Sequence, residues 1–281
     1  MNNAFSIDVE DWFQVSAFAP YIERAHWDHL PCRVERNVDL LLQMLDDAQA
    51  KATFFTLGWI AERYPQMVRL MAQAGHEVAS HGYGHLRASE QTPDEFRADL
   101  ILAKKILEDI TGEAVIGYRA PSFSIGPENA WAHDLVGETG HLYSSSIYPI
   151  AHDHYGVPDA PRFAYRLANG LLEIPPTTVR WGGRNWPVGG GGYFRLLPYH
   201  VSAWGLRRVN AADGQPAMVY FHPWEFDPQQ PRVEQANARA RFRHYLNLQR
   251  TEPRIRRLLR EFRWERIDHA FASTLAGQQA K

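Results

Sequence analysis

Short apolar runs alternate with longer amphipathic segments along most of this chain. Each run is four to six residues long and rich in β-branched, aromatic or small apolar residues, which predicts a buried strand. Because helix-period segments separate the runs, we expect parallel strands joined by crossover helices, as in an α/β fold. The strand candidates are Ala4–Val9, Ala52–Leu57, Glu77–Ser80, Val115–Tyr118, Leu142–Ser145, Leu171–Ile174 and Met218–Phe221, with Trp264–Ile267 as an eighth.

The amphipathic segments predict helices on the outside of this sheet. The clearest helix begins with a capping box formed by Thr92 and Glu95 and ends at Gly112. Its apolar residues fall on one face, which indicates a core face and not a cofactor site. Further helices are predicted at Val38–Ala48 and Pro65–Ala74. Seven or eight parallel strands surrounded by helices predict a barrel.

Two regions depart from this alternation. Residues 151–199 are rich in Gly, Pro and Trp and predict a loop insertion, in which the run Gly189–Gly192 is not expected to form a helix or a strand interior. Residues 232–281 predict a helical C-terminal extension with many arginines. We interpret those arginines as a solvated helix face, with attraction to a membrane surface as the weaker alternative. Residues 1–281 are expected to form a single domain.

The composition is that of an ordinary globular domain. The chain has 281 residues, 45% of them hydrophobic, and a net charge of −2, so a nucleic-acid partner is not expected. The single cysteine, Cys32, excludes an intrachain disulfide and a cysteine-based zinc cluster. The first residues lack the pattern of a secretion signal, and no apolar run is long enough to span a membrane, so we expect a cytoplasmic location.

Candidate catalytic residues lie at the ends of the predicted strands. His81 and His85 are four residues apart, a spacing that suits two ligands of one metal ion, although thirteen histidines make a chance pair unsurprising. Asp8, Glu10 and Asp11 crowd the end of the first strand and require a positive partner. On an extended strand Asp8 and Glu10 point the same way, so one can bind a metal while the other accepts a proton.

These motifs, in their order along the chain, resemble those of polysaccharide deacetylases of carbohydrate esterase family 4, the NodB-homology group. Asp8 matches the catalytic base of the family, and Glu10 best matches its acidic metal ligand, with Asp11 as the competing assignment. His81 and His85 match the histidine motif, except that Gly82 replaces a hydroxyl residue. That replacement is expected to remove a hydrogen bond behind the ligands and not a ligand itself.

Two further motifs extend the resemblance. Arg119, followed by Ala120 and Pro121, resembles the arginine motif, which implies that Arg119 orients the base. His222 comes directly after an apolar strand, as the general acid of the family does. The Asp-Trp pair of the fourth motif has no convincing counterpart, so the group that tunes His222 is left open. Residues 8–13 and 189–199 also resemble a subgroup associated with bacterial exopolysaccharide and exosortase loci.

The resemblance implies a distorted, NodB-like (β/α) barrel of about seven strands, with its site at the C-terminal strand ends. It implies one divalent transition metal, foremost Zn²⁺ with Co²⁺, Ni²⁺ or Mn²⁺ as alternatives, bound by Glu10, His81 and His85. The expected reaction is metal-dependent removal of N-acetyl or other acyl groups from amino sugars of a bacterial poly- or oligosaccharide. Asp8 would be the base and His222 the acid.

The expected partner is an N-acetylated saccharide, foremost a biosynthetic precursor. Trp186, Tyr193 and Trp224 are the candidate substrate contacts, because aromatic faces stack on sugar rings. Contact with membrane-associated polysaccharide biosynthesis machinery is a further hypothesis, and the oligomeric state is left open. Two rival functions are a barrel hydrolase acting on a small cyclic amide and a non-catalytic glycan-binding relative.

Overall fold

The fold is built on a curled parallel sheet, seen in a computed structural model that describes residues 1–153 and 155–277. Nine of its strands run in the order β10-β1-β2-β3-β4-β5-β7-β6, with β11 beside β1, and β8 and β9 form a separate hairpin. The strands are β1 (Asn2–Val9), β2 (Thr53–Thr56), β3 (Glu77–Ser80), β4 (Gly117–Tyr118), β5 (Tyr143–Ser144), β6 (Tyr165–Arg166), β7 (Leu172–Glu173), β8 (Thr178–Trp181), β9 (Arg184–Pro187), β10 (Met218–Phe221) and β11 (Arg263–Glu265). The predicted α/β fold and distorted barrel are confirmed.

Strand β1 joins the two halves of the chain. Its upper part, Ser6–Val9, pairs with β2 on one edge, while Ala4–Ile7 pairs with β10 on the other. Its first residues pair with β11. All eight strand candidates contain or overlap an observed strand. The strands that the sequence did not indicate, β6, β8 and β9, lie in the predicted loop insertion.

Helices cover the outside of the sheet. They are α1 (Val34–Asp47), α2 (Gly58–Arg63), α3 (Pro65–Gln73), α4 (Pro93–Thr111), α5 (Trp131–Glu138), α6 (Gly191–Leu196), α7 (Tyr199–Arg208), α8 (Ala238–Tyr245), α9 (Thr251–Glu261), α10 (Ile267–Ala270) and α11 (Ala272–Ala276). The capping box of Thr92 and Glu95 is present, and Gly112 ends α4 at a φ of 72°. Among the described residues, none of the helices has both the length and the apolar character needed to cross a bilayer.

The glycine run closes the free edge of β10 and then starts a helix. Gly190 pairs with Tyr220, and a Cβ atom at Gly190 would lie 2.1 Å from the carbonyl oxygen of Tyr220. Only glycine allows the two backbones to approach this closely. The expectation that the run stays outside helices was wrong for Gly191 and Gly192, which form the first turn of α6.

The predicted C-terminal extension is part of the main structure. Ile255, Leu258 and Leu259 of α9 are buried in the principal core, and β11 belongs to the main sheet through its pairing with β1. The last residues of this predicted extension, 278–281, lie outside the described residues. The boundaries of the domain therefore stay a prediction.

A buried carboxylate lies at the opposite end of the sheet from the predicted site, at the start of β3. Glu77 accepts hydrogen bonds from Thr53 Oγ1 at 2.5 Å and from the hydroxyl of Tyr143 at 2.9 Å. Burial, reinforced by the negative charge of Asp268, raises the pKa of Glu77 to about 7. The N-terminal end of barrel strands usually serves stability, and this network fits that role.

We predict that Glu77 makes the stability of the protein fall between about pH 4.5 and pH 7. In this window the unfolded chain releases the Glu77 proton while the folded chain retains it, so the free energy of unfolding decreases as pH rises, by up to about 3 kcal/mol. Glu77→Gln should largely remove this slope in urea titrations at several pH values. The exposed Glu128→Gln is the matched control, and an unchanged slope in Glu77→Gln would contradict the prediction.

Candidate active site

The strand register gathers the predicted site residues at one end of the sheet. Strands β1 and β10 end side by side, so Asp8 and His222 lie at neighbouring positions. Strands β3 and β4 also end side by side, which brings His81 next to Arg119. All four are at the C-terminal ends of their strands, where barrel folds usually place their chemistry.

Three of the predicted site residues could together hold a metal ion. One ligand atom each from Glu10, His81 and His85 lies within 4.8 Å of the other two, and all three residues are buried. Oε2 of Glu10 is 2.7 Å from Nε2 of His85, but no donor is aligned with that oxygen for a hydrogen bond. A buried carboxylate oxygen without a hydrogen-bond donor is unfavourable unless a cation binds it. Together with the two neighbouring imidazoles, this oxygen forms a ligand set that fits a divalent transition metal.

The backbone orients the first histidine. Nδ1 of His81 lies 2.8 Å from the carbonyl oxygen of Arg119, so the N–H of the neutral ring points there and Nε2 is free to bind an ion. Burial lowers the pKa of His81 to about 4, which keeps the ring neutral. A main-chain carbonyl therefore orients His81 although position 82 carries no hydroxyl side chain.

Glu10 and Asp11 occupy very different surroundings. Burial alone would raise the pKa of Glu10, but the adjacent His85 outweighs it and the pKa falls to about 2. Asp11 instead accepts backbone N–H groups at the start of α1, including Arg33 at 2.5 Å and Val34 at 2.9 Å. The structure thus brings Glu10 to the histidines and assigns Asp11 to capping a helix.

Trp224 fixes the orientation of the Glu10 carboxylate. Its indole N–H donates to Oε1 of Glu10 at 3.1 Å, which leaves Oε2 directed at His85. The indole is only 6% exposed and is stacked between the rings of His222 and His244, with centroid distances of 5.1 and 4.1 Å. Trp224 borders the cleft and its polar edge contacts a candidate metal ligand, while its role as a substrate contact stays a prediction.

Asp8 is held by a fully buried arginine. Nη1 of Arg119 donates to Oδ1 of Asp8 at 2.5 Å and to Ser6 Oγ at 3.0 Å. The same guanidinium donates to Ser145 and lies 4.0 Å from the ring centre of Phe55. Because these contacts use one carboxylate oxygen, Oδ2 of Asp8 faces the cleft and lies 3.9 Å from Nε2 of His222.

An acid that the sequence reasoning missed tunes His222. Glu225 accepts a hydrogen bond from Nδ1 of His222 at 2.7 Å and from Nε of Arg195 at 2.6 Å. Burial disfavours the charged imidazole, but Glu225 together with the charge of Glu10 outweighs it and raises the pKa of His222 to about 9. The only sequence signal was a glutamate three residues after His222, at a position that caps the following turn.

The site opens into a cleft of about 710 Å³. Its walls include Asp8, Glu10, His222 and the predicted substrate contact Tyr193. Trp186 is not among the lining residues and lies instead on the β8–β9 hairpin, 51% exposed. The arrangement can hold a cation between neutral and anionic ligands, accept a proton on one side of a bound group and donate a proton on the other.

Comparison with known proteins confirms the predicted family resemblance. Residues 26–137 match the polysaccharide deacetylase family, and residues 145–272 match a domain of unknown function (DUF3473). A crystal structure of a candidate polysaccharide deacetylase from Mycobacterium smegmatis covers 100% of this chain and 92% of its own, with a TM-score of 0.63 at 20% identity. At this level of identity the similarity shows a shared fold. The predicted link to exopolysaccharide and exosortase loci stays a prediction.

Curated relatives match the chain over shorter regions. A peptidoglycan-N-acetylglucosamine deacetylase of Bacillus cereus is 36% identical over 81 residues, or 29% of this chain and 30% of the relative. A chitooligosaccharide deacetylase of Azorhizobium caulinodans is 31% identical over 133 residues, or 47% of this chain and 58% of the relative. The chain thus spans less than two thirds of the length of either relative.

We predict that restoring the hydroxyl residue of the family at position 82 destabilises this protein. Gly82 has a φ of +76°, and a Cβ atom there would lie 2.7 Å from Oδ2 of Asp99, which is held by the backbone N–H of Tyr83. Gly82→Ser should therefore lower the free energy of unfolding by about 1–3 kcal/mol. Gly84→Ser, in the same loop with no atom within 4 Å of its Cβ, should cost less. Equal stability of the two variants in denaturant titrations would contradict this prediction.

Proposed function

We propose that this relative of the polysaccharide deacetylases removes N-acetyl groups from amino sugars of a bacterial poly- or oligosaccharide by metal-dependent hydrolysis. One observation carries the proposal: the three candidate metal ligands share the end of the cleft with a carboxylate and an imidazole whose reactive atoms are 3.9 Å apart. A base and an acid on the same metal site are what hydrolysis of an amide requires.

Glu10, His81 and His85 would hold the metal, and Zn²⁺ is the ion that this set of one carboxylate and two imidazoles fits best, with Co²⁺, Ni²⁺ and Mn²⁺ as alternatives. When bound, such an ion polarises the amide carbonyl and lowers the pKa of water. The hydrogen bond from Trp224 keeps the Glu10 side chain in one orientation.

Asp8 would act as the base. Its Oδ2 takes a proton from the attacking water as the C–O bond to the acetyl carbon forms, while Oδ1 stays on Arg119. The hydrogen bonds from Arg119 fix the direction of the carboxylate, so Arg119 is a positioning residue.

His222 would act as the acid. Its Nε2–H delivers a proton to the amide nitrogen as the C–N bond breaks, which yields acetate and a free amino group. The raised pKa of His222, about 9, keeps this proton in place at neutral pH. Glu225 accepts hydrogen bonds from Arg195 and from Nδ1 of His222, and these bonds hold the imidazole ring in the donating orientation.

The shape of the cleft supports a saccharide over the rival small cyclic amide. A space of about 710 Å³ bordered by Tyr193 and Tyr21 exceeds what a single small ring fills. A non-catalytic glycan-binding role is disfavoured because the base, the acid and all three candidate ligands are present and converge. The substrate that we propose is a biosynthetic precursor of such a saccharide.

We expect the purified protein, loaded with Zn²⁺ or Co²⁺, to release acetate from N-acetylglucosamine oligomers. Asp8→Asn should lose about 10²–10⁴ of the rate while keeping about one equivalent of metal, because the proton acceptor is removed and the three candidate ligands are unchanged. His81→Ala combined with His85→Ala should lose both metal and activity while remaining folded. Elemental mass spectrometry and acetate release measure the two properties. Wild-type protein that binds no added metal would overturn the mechanism.

We also predict that Glu225→Gln moves the alkaline limb of the pH–rate profile to lower pH by about one unit or more. Loss of the Glu225 charge lowers the pKa of His222, so the acid loses its proton at a lower pH. Glu225→Asp keeps the charge and should move the limb less. The position of the limb does not depend on how much enzyme is folded, and an unchanged limb in Glu225→Gln would exclude His222 as the acid.

A further inference from the structure

The tryptophans of this chain divide sharply by exposure. Three of the nine are half or more exposed: Trp181 at 72%, Trp186 at 51% and Trp204 at 50%. All three lie on the β8–β9 hairpin or on α7, and Leu196 between these elements is also 50% exposed. Exposed tryptophan is uncommon on soluble surfaces without a partner, so this concentration marks an interaction surface, residues 178–208.

The charge of this surface has one sign. Residues 174–212 contain no Asp or Glu. Arg180, Arg184 and Arg208 are exposed, and none of them forms an ion pair with a carboxylate of the described residues. Tryptophan together with unpaired arginine suits the boundary between lipid headgroups and acyl chains, and the absence of carboxylates removes repulsion from anionic lipids.

The hairpin and α7 are packed together and adjoin the cleft. Val179 and Val188 are buried in the same core cluster as Leu206 of α7, and a Cβ atom at Gly205 would lie 2.7 Å from Val188. The segment between the hairpin and α7 supplies Tyr193 and Leu196 to the wall of the cleft. A partner on this surface would therefore lie beside the cleft.

We propose that residues 178–208 bind the surface of an anionic lipid bilayer and place the cleft beside it, so that a membrane-linked saccharide is the natural substrate. The second half of this statement rests on the proposed function. A soluble glycan is a poorer occupant of the surface, because the rings of Trp181 and Trp186 are inclined by 52° and offer no flat platform for successive sugars. The indole N–H of Trp186 already donates a hydrogen bond to the carbonyl oxygen of Trp181, at 3.2 Å, so it is not free for a sugar hydroxyl.

Co-sedimentation of the full chain with vesicles tests the proposal. Wild-type protein should bind phosphatidylcholine vesicles that contain phosphatidylglycerol, and bind pure phosphatidylcholine vesicles less. Trp181→Ser with Trp204→Ser should weaken partitioning at least about tenfold, because both indoles lose their apolar contact with the bilayer. Arg180→Glu with Arg184→Glu should weaken binding and its dependence on salt.

The matched control is Ile101→Ser with Leu102→Ser, which removes two exposed apolar side chains from α4 and should leave vesicle binding unchanged. Equal binding of wild type and the double tryptophan variant, or no binding by wild type, would overturn the proposal. Binding of N-acetylglucosamine oligomers that depends on Trp181 and Trp204 would reassign the surface to a glycan. Asp8→Asn, which is expected to lose most of its activity, should still bind vesicles. The two proposals can therefore fail independently of each other.

Discussion

Arg119 lies under the cleft without access to water, and a guanidinium in that position must be matched by acceptors from the protein. Asp8 supplies the charge, Ser6 and Ser145 supply further oxygens, and the aromatic ring of Phe55 covers one face. The carbonyl of Arg119 also orients His81. A single residue thus fixes both the candidate base and a candidate metal ligand, so their relative position follows from the geometry of one strand end.

The candidate site residues come from parts of the chain that no single family match covers. Asp8 and Glu10 precede the region that matches polysaccharide deacetylases, residues 26–137, while His222 and Glu225 lie in the region that matches a domain of unknown function. The two regions meet at the site, because Arg119 of the first region donates to the backbone and side-chain oxygens of Ser145 in the second. Strand β10 of the second region also pairs with β1. The domain of unknown function therefore contributes the candidate acid and part of the same sheet.

Much of this arrangement could be predicted from local sequence. Apolar runs located the strands, and the residues directly after those runs were the ones brought together, because parallel strands end at one edge of a sheet. What could not be predicted depends on contacts between distant residues. Arg195 reaches Glu225 only because α6 packs beneath the turn after β10, and no local pattern pairs the two. The need for glycine at position 82 could not be predicted either, because it depends on the side chain of Asp99, which lies on α4.

The position of β1 in the sheet affects how the protein folds during its synthesis. During synthesis β1 leaves the ribosome long before its partner β10, in which Met218 pairs with Ala4 of β1. Until then the edge of β1 that faces β10 has no strand beside it, and the candidate ligands Glu10, His81 and His85 are present without the candidate acid. Pairing over such a separation is entropically costly and slow, so the nascent chain must keep an unfinished, aggregation-prone edge protected until β10 has been made.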